Sequence, residues 1–248
     1  MRVVKEHDER MGEFVDAAIA LMSRKGYEGT TIQDIIDEVG VSKGAFYHYF
    51  SSKEDILDAI AERICETVLK RTEDSIRDAS LPADEKLRRF LATTWHWKSE
   101  NVDVAGIFLP IMYADENVRL RNRAISLSKE FNNSILSQLA EQGVREGVFN
   151  IKYPEETVDL AFQIIVAGSE SSVDIMLSTR PASEKARLLR RWFALILETI
   201  EKLFGAKPGS LGRVPESYVK KLSMYEVDAE GPVQVTAKES ARGPRAQG

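Results

Sequence analysis

Apolar residues in this chain recur at spacings of three and four, and that periodicity restricts it to a helical fold. Phe14, Ala17, Ala18 and Leu21 follow the i, i+3, i+4, i+7 pattern of one helix face, and Gly26 stands where such a helix stops. Ile32, Ile35, Ile36 and Val39 repeat the pattern up to Gly40. A third short helix is predicted from Ser42 to about Phe50. A longer one is predicted from Ser51 or Ser52, where Ser51 and Glu54 have the spacing of a capping box. Further helices are predicted over 83–99, 102–114, 116–146, 154–178 and 183–205, with Pro154 and Pro181 marking two of the starts. The chain carries no convincing strand pair, no βαβ alternation and no internal repeat. The expected fold class is all-α, with about nine helices.

Composition sets the outer bounds. With 248 residues, 43% of them hydrophobic, the chain has material for one or two domains with a sizeable core. Its net charge of −5 gives no general attraction to nucleic acid, so any surface that meets phosphates must be local. The single cysteine, Cys65, rules out an internal disulfide and reads as a small buried residue in a helical run. Charges break up the first ten residues, which excludes a signal-peptide core there. No stretch approaches roughly 18 uninterrupted apolar residues, so the expectation is a cytoplasmic protein with no membrane partner. From Ala206 to Gly248 the chain holds four of its eight prolines and five glycines. That composition predicts a largely disordered tail, in which Tyr218, Val219, Leu222 and Tyr225 can form a short docked piece.

The segment from Thr30 to Lys53 carries the clearest chemical signal. Two short helices joined by Val39-Gly40-Val41 have the layout of a helix-turn-helix. Thr31 is the expected cap of the first, with Asp34 as its reciprocal partner, and Ser42 the expected cap of the second. On the second helix Val41, Ala45, Phe46, Tyr49 and Phe50 cover an apolar side, leaving Lys43, Gly44, Tyr47 and His48 elsewhere. The fifteen residues from Val39 to Lys53 contain no carboxylate, in a chain with 39 acidic residues. Such a window removes repulsion where a phosphate backbone approaches. Lys43 can donate to guanine O6 and N7, Tyr47 can reach a phosphate or a thymine methyl, and Gly44 permits close approach. Lys53, in the first turn of the next helix, can join free N–H groups in holding a phosphate. By periodicity alone the aromatic run Phe46–Phe50 also reads as a plain core strip with a stray histidine.

The residues Thr30-Thr31-Ile32-Gln33-Asp34-Ile35-Ile36, then Gly40 through Phe50, then Ser52-Lys53-Glu54-Asp55-Ile56-Leu57, resemble the tetracycline-repressor (TetR) family over about residues 10–60. The resemblance implies an N-terminal three-helix DNA-binding domain over 1–52, an effector-binding and dimerisation domain over 53–205 and a tail over 206–248. It implies phosphate contacts from Thr31, Tyr47, His48 and Lys53, with Ser42 in the same contact surface. It places Lys43, Gly44 and Tyr47 toward the major groove. The run Gly143 to Phe149, followed by Pro154, is similar to a helix junction of that family.

Two late helices are more apolar than one surface face requires. Phe162, Ile165 and Ser169 on one, with Trp192, Phe193, Ile196 and Ile200 on the other, are the expected homodimer interface; a buried monomer core is the alternative reading. A dimer would place two reading helices about one DNA turn apart on a palindromic operator. A pocket for a hydrophobic or aromatic effector is expected among Trp95, His96, Phe108, Met112 and Tyr113, with Phe131, Asn132, Phe162 and Gln163 from later helices. No cofactor or metal is expected, and enzyme motifs are missing: there is no G-x-S-x-G elbow, P-loop or G-x-G-x-x-G. The rival to a ligand-released repressor of double-stranded operator DNA is a helical protein-interaction module without effector response.

Overall fold

Three of the first four helices begin at a side chain that accepts a backbone N–H. In the computed structural model, which describes residues 2–101, 109, 113 and 118–225, α1 (Arg2–Lys25) stops at Gly26, whose φ is 73°. Helix α2 (Ile32–Val39) has Thr31 as its cap in a full capping box with Asp34, and ends at Gly40 in the left-handed region. Helix α3 (Lys43–Tyr49) is capped by Ser42, whose hydroxyl accepts from Ala45 N at 3.2 Å. Helix α4 (Lys53–Arg77) starts one residue later than the Ser51–Glu54 spacing suggests. Ser52 is its cap, and the carboxylate of Asp55 accepts from both Ser51 N and the Ser52 hydroxyl. Glu54 instead receives the Tyr27 hydroxyl at 3.5 Å.

These caps aim four apolar faces at one centre. Phe14, Ile35, Phe46, Phe50, Ile56 and Leu57 are buried there, with Phe14 edge-on to both Phe46 and Phe50. Fully burying side chains of this size contributes roughly 1.5–3 kcal/mol each.

A second apolar core is built from α5 (Ala83–Glu100), α6 (Val118–Glu146), α7 (Pro154–Leu177), α8 (Ala182–Phe204) and α9 (Glu216–Ser223). Helix α5 lacks a side-chain cap of its own; Glu146, at the end of α6, accepts from Ala83 N at 2.8 Å and supplies a negative charge at that helix start. The α6–α7 junction needs Gly143, because a Cβ there would lie 2.0 Å from the Phe149 ring. Helix α7 lies between α6 and α8, and its length and composition alone would suffice to cross a membrane. Among the described residues there are nine helices and no strand.

The docked piece expected from Tyr218, Val219, Leu222 and Tyr225 is present, and it is longer than those residues suggest. The chain after Ala206 is folded as far as Tyr225. Leu211, Tyr218, Val219, Leu222 and Tyr225 are all buried in the second core. Average composition hides this because only a short amphipathic turn has to pay for its ordering, and polar anchors assist it. The buried Glu201 carboxylate accepts from Gly209 N and Leu211 N, and Arg190 pairs with Glu216. The buried Lys185 ammonium donates to Met176 O at 2.7 Å and Tyr225 O at 2.8 Å.

Candidate nucleic-acid interface and ligand cavity

The turn between α2 and α3 fixes which side of α3 is presented outward. Gly40 adopts φ 72° and donates its N–H to Ile36 O, turning the chain so that Phe46 falls into the core. An L-residue adopts that backbone at a cost. With Phe46 and Phe50 buried, Lys43, Gly44, Tyr47 and His48 are exposed together. Tyr47 is 48% exposed, and the Lys43 ammonium sits 5.8 Å from the centre of its ring. A Cβ on Gly44 would meet nothing closer than 3.9 Å, so packing within the chain does not require glycine there. The His48 ring meets Tyr49 edge-on and approaches His7 of α1.

Two carboxylates of α2 are paired with cations of α1. Asp34 is held well below the usual carboxylate range, first by its hydrogen bond from Lys25 and then by the bonds from Thr31. Glu38 pairs with Arg24 at 3.1 Å.

Two residues expected to grip phosphate are occupied within the chain. Lys53 donates to the carbonyls of Tyr27 and Thr30 at 2.9 and 3.2 Å, with its ammonium 3.8 Å from the Tyr27 ring centre. In this structure it fastens α4 to the α1–α2 turn instead of facing solvent as a free cation. Thr31 has its N–H, its hydroxyl hydrogen and its hydroxyl oxygen all committed to Asp34. The aromatic run itself divides: Phe46 and Phe50 are core, while Tyr47 and His48 are surface.

Inside the second core lies a cavity of about 340 Å³. Helix α4 supplies Ala61, Ile64 and Val68, and α5 supplies Phe90, Trp95 and Lys98. Tyr113, together with Ile125 of α6 and Phe162 of α7, continues the wall, which Tyr218 and Leu222 of α9 complete. Several lining hydroxyls are already spent: Thr94 on Phe90 O, Ser169 on Ile165 O and Ser172 on Gly168 O. Burial pushes the Tyr113 phenol up from its ordinary value. The cavity is therefore apolar in effect.

The expected pocket residues sort unevenly. Trp95, Tyr113 and Phe162 line the cavity as expected. His96 does not; its side chain is 70% exposed and pairs with Glu100 one turn on, because it follows Trp95 by one position and so faces outward. Gln163 is exposed for the same reason beside Phe162. Phe108 and Met112, and the side chains of Cys65, Phe131 and Asn132, lie outside the described residues. Sequence reasoning missed Tyr218 and Leu222 as wall residues, and their helical spacing of four was the available signal.

Each residue expected at a dimer interface makes contacts within the chain. Phe193, Ile196 and Ile200 are buried in the chain's own core. Phe162, Ile165 and Ser169 line the cavity, and the Trp192 indole donates to Gly168 O at 2.9 Å. The most apolar stripe of each helix is drawn into the protomer's own core. One large apolar residue stays exposed on each helix, Leu160 at 56% on α7 and Leu195 at 50% on α8, among mostly charged and polar neighbours.

The chain is similar to known bacterial regulators over its first helices and shares a fold with solved structures over most of its length. The family model described as bacterial regulatory proteins of the tetR family matches residues 14–60. The HTH-type transcriptional regulator YfiR of Bacillus subtilis is 30% identical over 163 residues, covering 63% of this chain and 77% of that protein. The HTH-type transcriptional repressor KstR2 of Mycobacterium tuberculosis is 26% identical over 168 residues, 66% of this chain and 80% of its own. Among solved structures, the regulator FadR of Bacillus subtilis in complex with stearoyl-CoA superposes with a TM-score of 0.56 at 21% identity, covering 79% of this chain and 98% of that one. RolR in complex with resorcinol superposes with a TM-score of 0.57 at 15% identity, covering 94% of this chain and 100% of that one.

Proposed function

Because this chain belongs to the TetR family of bacterial regulatory proteins and is a transcriptional regulator, we propose that it acts as a homodimeric repressor, released from a palindromic operator when an apolar or aromatic small molecule enters the cavity. The observation that carries the reading is the face of α3. Lys43, Gly44, Tyr47 and His48 stand exposed together on a carboxylate-free segment, over a helix whose other side is locked into a core. Lys43 reads base edges and Tyr47 meets the backbone, while Gly44 lets the main chain come close. Thr31, Ser42 and Lys53 support the interface by holding the two helices and the following turn in register. The homodimer is assigned to α7 and α8 through Leu160 and Leu195, an isologous face that would set the two reading helices one DNA turn apart.

Helix α4 supplies the link between ligand and DNA. Its first turns put Ile56, Leu57 and Ile60 into the reading-head core, and its next put Ala61, Ile64 and Val68 into the cavity wall. A ligand that prefers one tilt of α4 changes the separation of the reading helices; couplings of this kind are typically 1–3 kcal/mol. Stearoyl-CoA in FadR and resorcinol in RolR are small molecules of very different size held by the same fold, which supports a small-molecule effector here without specifying it.

The test is salt-dependent binding of the purified protein to DNA upstream of its own gene, against unrelated DNA. A specific complex that weakens steeply with salt and protects a palindrome is the expected result. Failure on that DNA and on a random-sequence selection would leave the interaction-module reading.

A further inference from the structure

We infer that the cavity takes an apolar carboxylic acid, its carboxylate lodged against the Trp95 indole N–H and the Lys98 ammonium and its hydrocarbon body between Phe162, Met176 and Leu222. The inference rests on the cavity being the effector site and specifies the polar end of what enters it.

Three observations converge. First, Trp95 Nε1 is buried with no hydrogen-bond partner, whereas Thr94, Ser169 and Ser172 donate to carbonyls of their own helices. A buried donor left unpaired is costly, and an acceptor arriving through the cavity removes that cost. Second, Lys98 lies one helical turn beyond Trp95, also lines the cavity, and holds its ammonium 4.9 Å from the centre of the Trp95 ring. Third, Lys98 is the one cation in the described lining, which contains no carboxylate, so an acid's charge can be met there. A carboxylate offers two oxygens, one for the indole N–H and one for the ammonium. A neutral carbonyl answers only the first.

The aromatic surroundings fix where that end sits. Trp95 packs against Phe193 and Tyr218 at 5.4 and 5.7 Å between ring centres, so α5, α8 and α9 jointly hold the indole in place. The rest of the lining is aliphatic or aromatic and asks only for an apolar body.

The test displaces a neutral fluorescent reporter, N-phenylnaphthylamine, from the full-length protein with matched pairs: decanoate against decanamide, and naphthoate against naphthamide. Within a pair the hydrocarbon body is constant, and a neutral amide replaces the anionic carboxylate. The acid of at least one pair is expected to displace the reporter about tenfold more tightly than its amide. Lys98→Met should remove that preference. Trp95→Phe, which keeps the ring and deletes the N–H, should weaken acid and amide alike by about tenfold. Equal binding of acid and amide in both pairs, or an acid preference that survives Lys98→Met, overturns the inference while leaving the cavity as the effector site. So does reporter binding that no acid displaces. A protein that binds operator DNA but not the reporter overturns the effector reading and the inference together. Lys98 is partly exposed, so its variant keeps the test decisive even where Trp95→Phe does not fold.

Discussion

The reading head and the sensing half are both helical, yet they are packed on opposite principles. In the head, Phe14, Phe46, Ile35, Ile56 and Leu57 meet at a centre that is closed to solvent. In the sensing half, side chains of comparable size stand around a cavity of about 340 Å³. A closed core favours one arrangement; a wall facing empty space has lost part of its contacts and tolerates change. The head presents one fixed surface, and the other half encloses a space that, on the proposed function, receives a ligand.

The largest test of this contrast is a pair of truncations. Phe46→Ala should cost about 3–5 kcal/mol in urea unfolding and abolish operator binding. Phe162→Ala, on the cavity wall, should cost about 1 kcal/mol, because the removed ring leaves an existing space larger instead of opening a new one. Equal costs would break the comparison.

A pair of glycines sharpens it. Gly143→Ala drives a Cβ into the Phe149 ring at 2.0 Å and should destabilise by about 1–3 kcal/mol. Gly44→Ala meets no such neighbour and should stabilise α3 by up to about 1 kcal/mol. Operator affinity should nevertheless fall, so stability and binding move in opposite directions at one site.

Two lysines separate contact from support. Lys43→Met should lower the salt dependence of DNA binding by about one counterion and leave melting unchanged. Lys53→Met should lower the melting temperature and leave that slope alone, because its ammonium is spent on Tyr27 and Thr30. A slope lowered by Lys53→Met would restore its phosphate role.

The smallest effect concerns Asp58 of α4, where the head meets α6. Burial raises its carboxyl above the ordinary range, and Arg123, 2.6 Å away, only partly opposes this. A raised folded-state value means that the unfolded chain gives up this proton first as pH rises. The contribution is therefore fully present at acid pH and is lost as pH climbs through the folded value. Asp58→Asn should remove that loss and raise the melting temperature near neutral pH by about 2 °C. A melting temperature that falls instead would show the Arg123 pair outweighing the burial cost.

The same contrast explains what could be read from the sequence. The head was legible because its determinants are local: Thr31 with Asp34, Gly40, Ser42, and a run of aromatics whose inward and outward members follow from helical spacing. The one slip there, Ser51–Glu54 for Ser52–Asp55, arose from two overlapping capping patterns. The sensing half was legible as helices but not as a site. Whether Phe162 or Ile196 faces a cavity, a core or a partner depends on neighbours far away in sequence, and a strong apolar stripe marks only that something covers it. His96 was chosen for its chemistry where its position beside Trp95 already placed it outward. The segment from 206 to 225 was masked by its own composition, since a few anchors such as Lys185 and Glu201 do what average hydrophobicity cannot report.

That segment bears on how such a protein diversifies. Helix α9 contributes Tyr218 and Leu222 to the cavity, and its packing partners are α5 and α8, with none of the reading-head helices among its principal contacts. On the proposed function, changes within the eight residues of α9 would recut part of the cavity wall without disturbing the exposed face of α3. Ligand preference and target choice would then vary independently of one another.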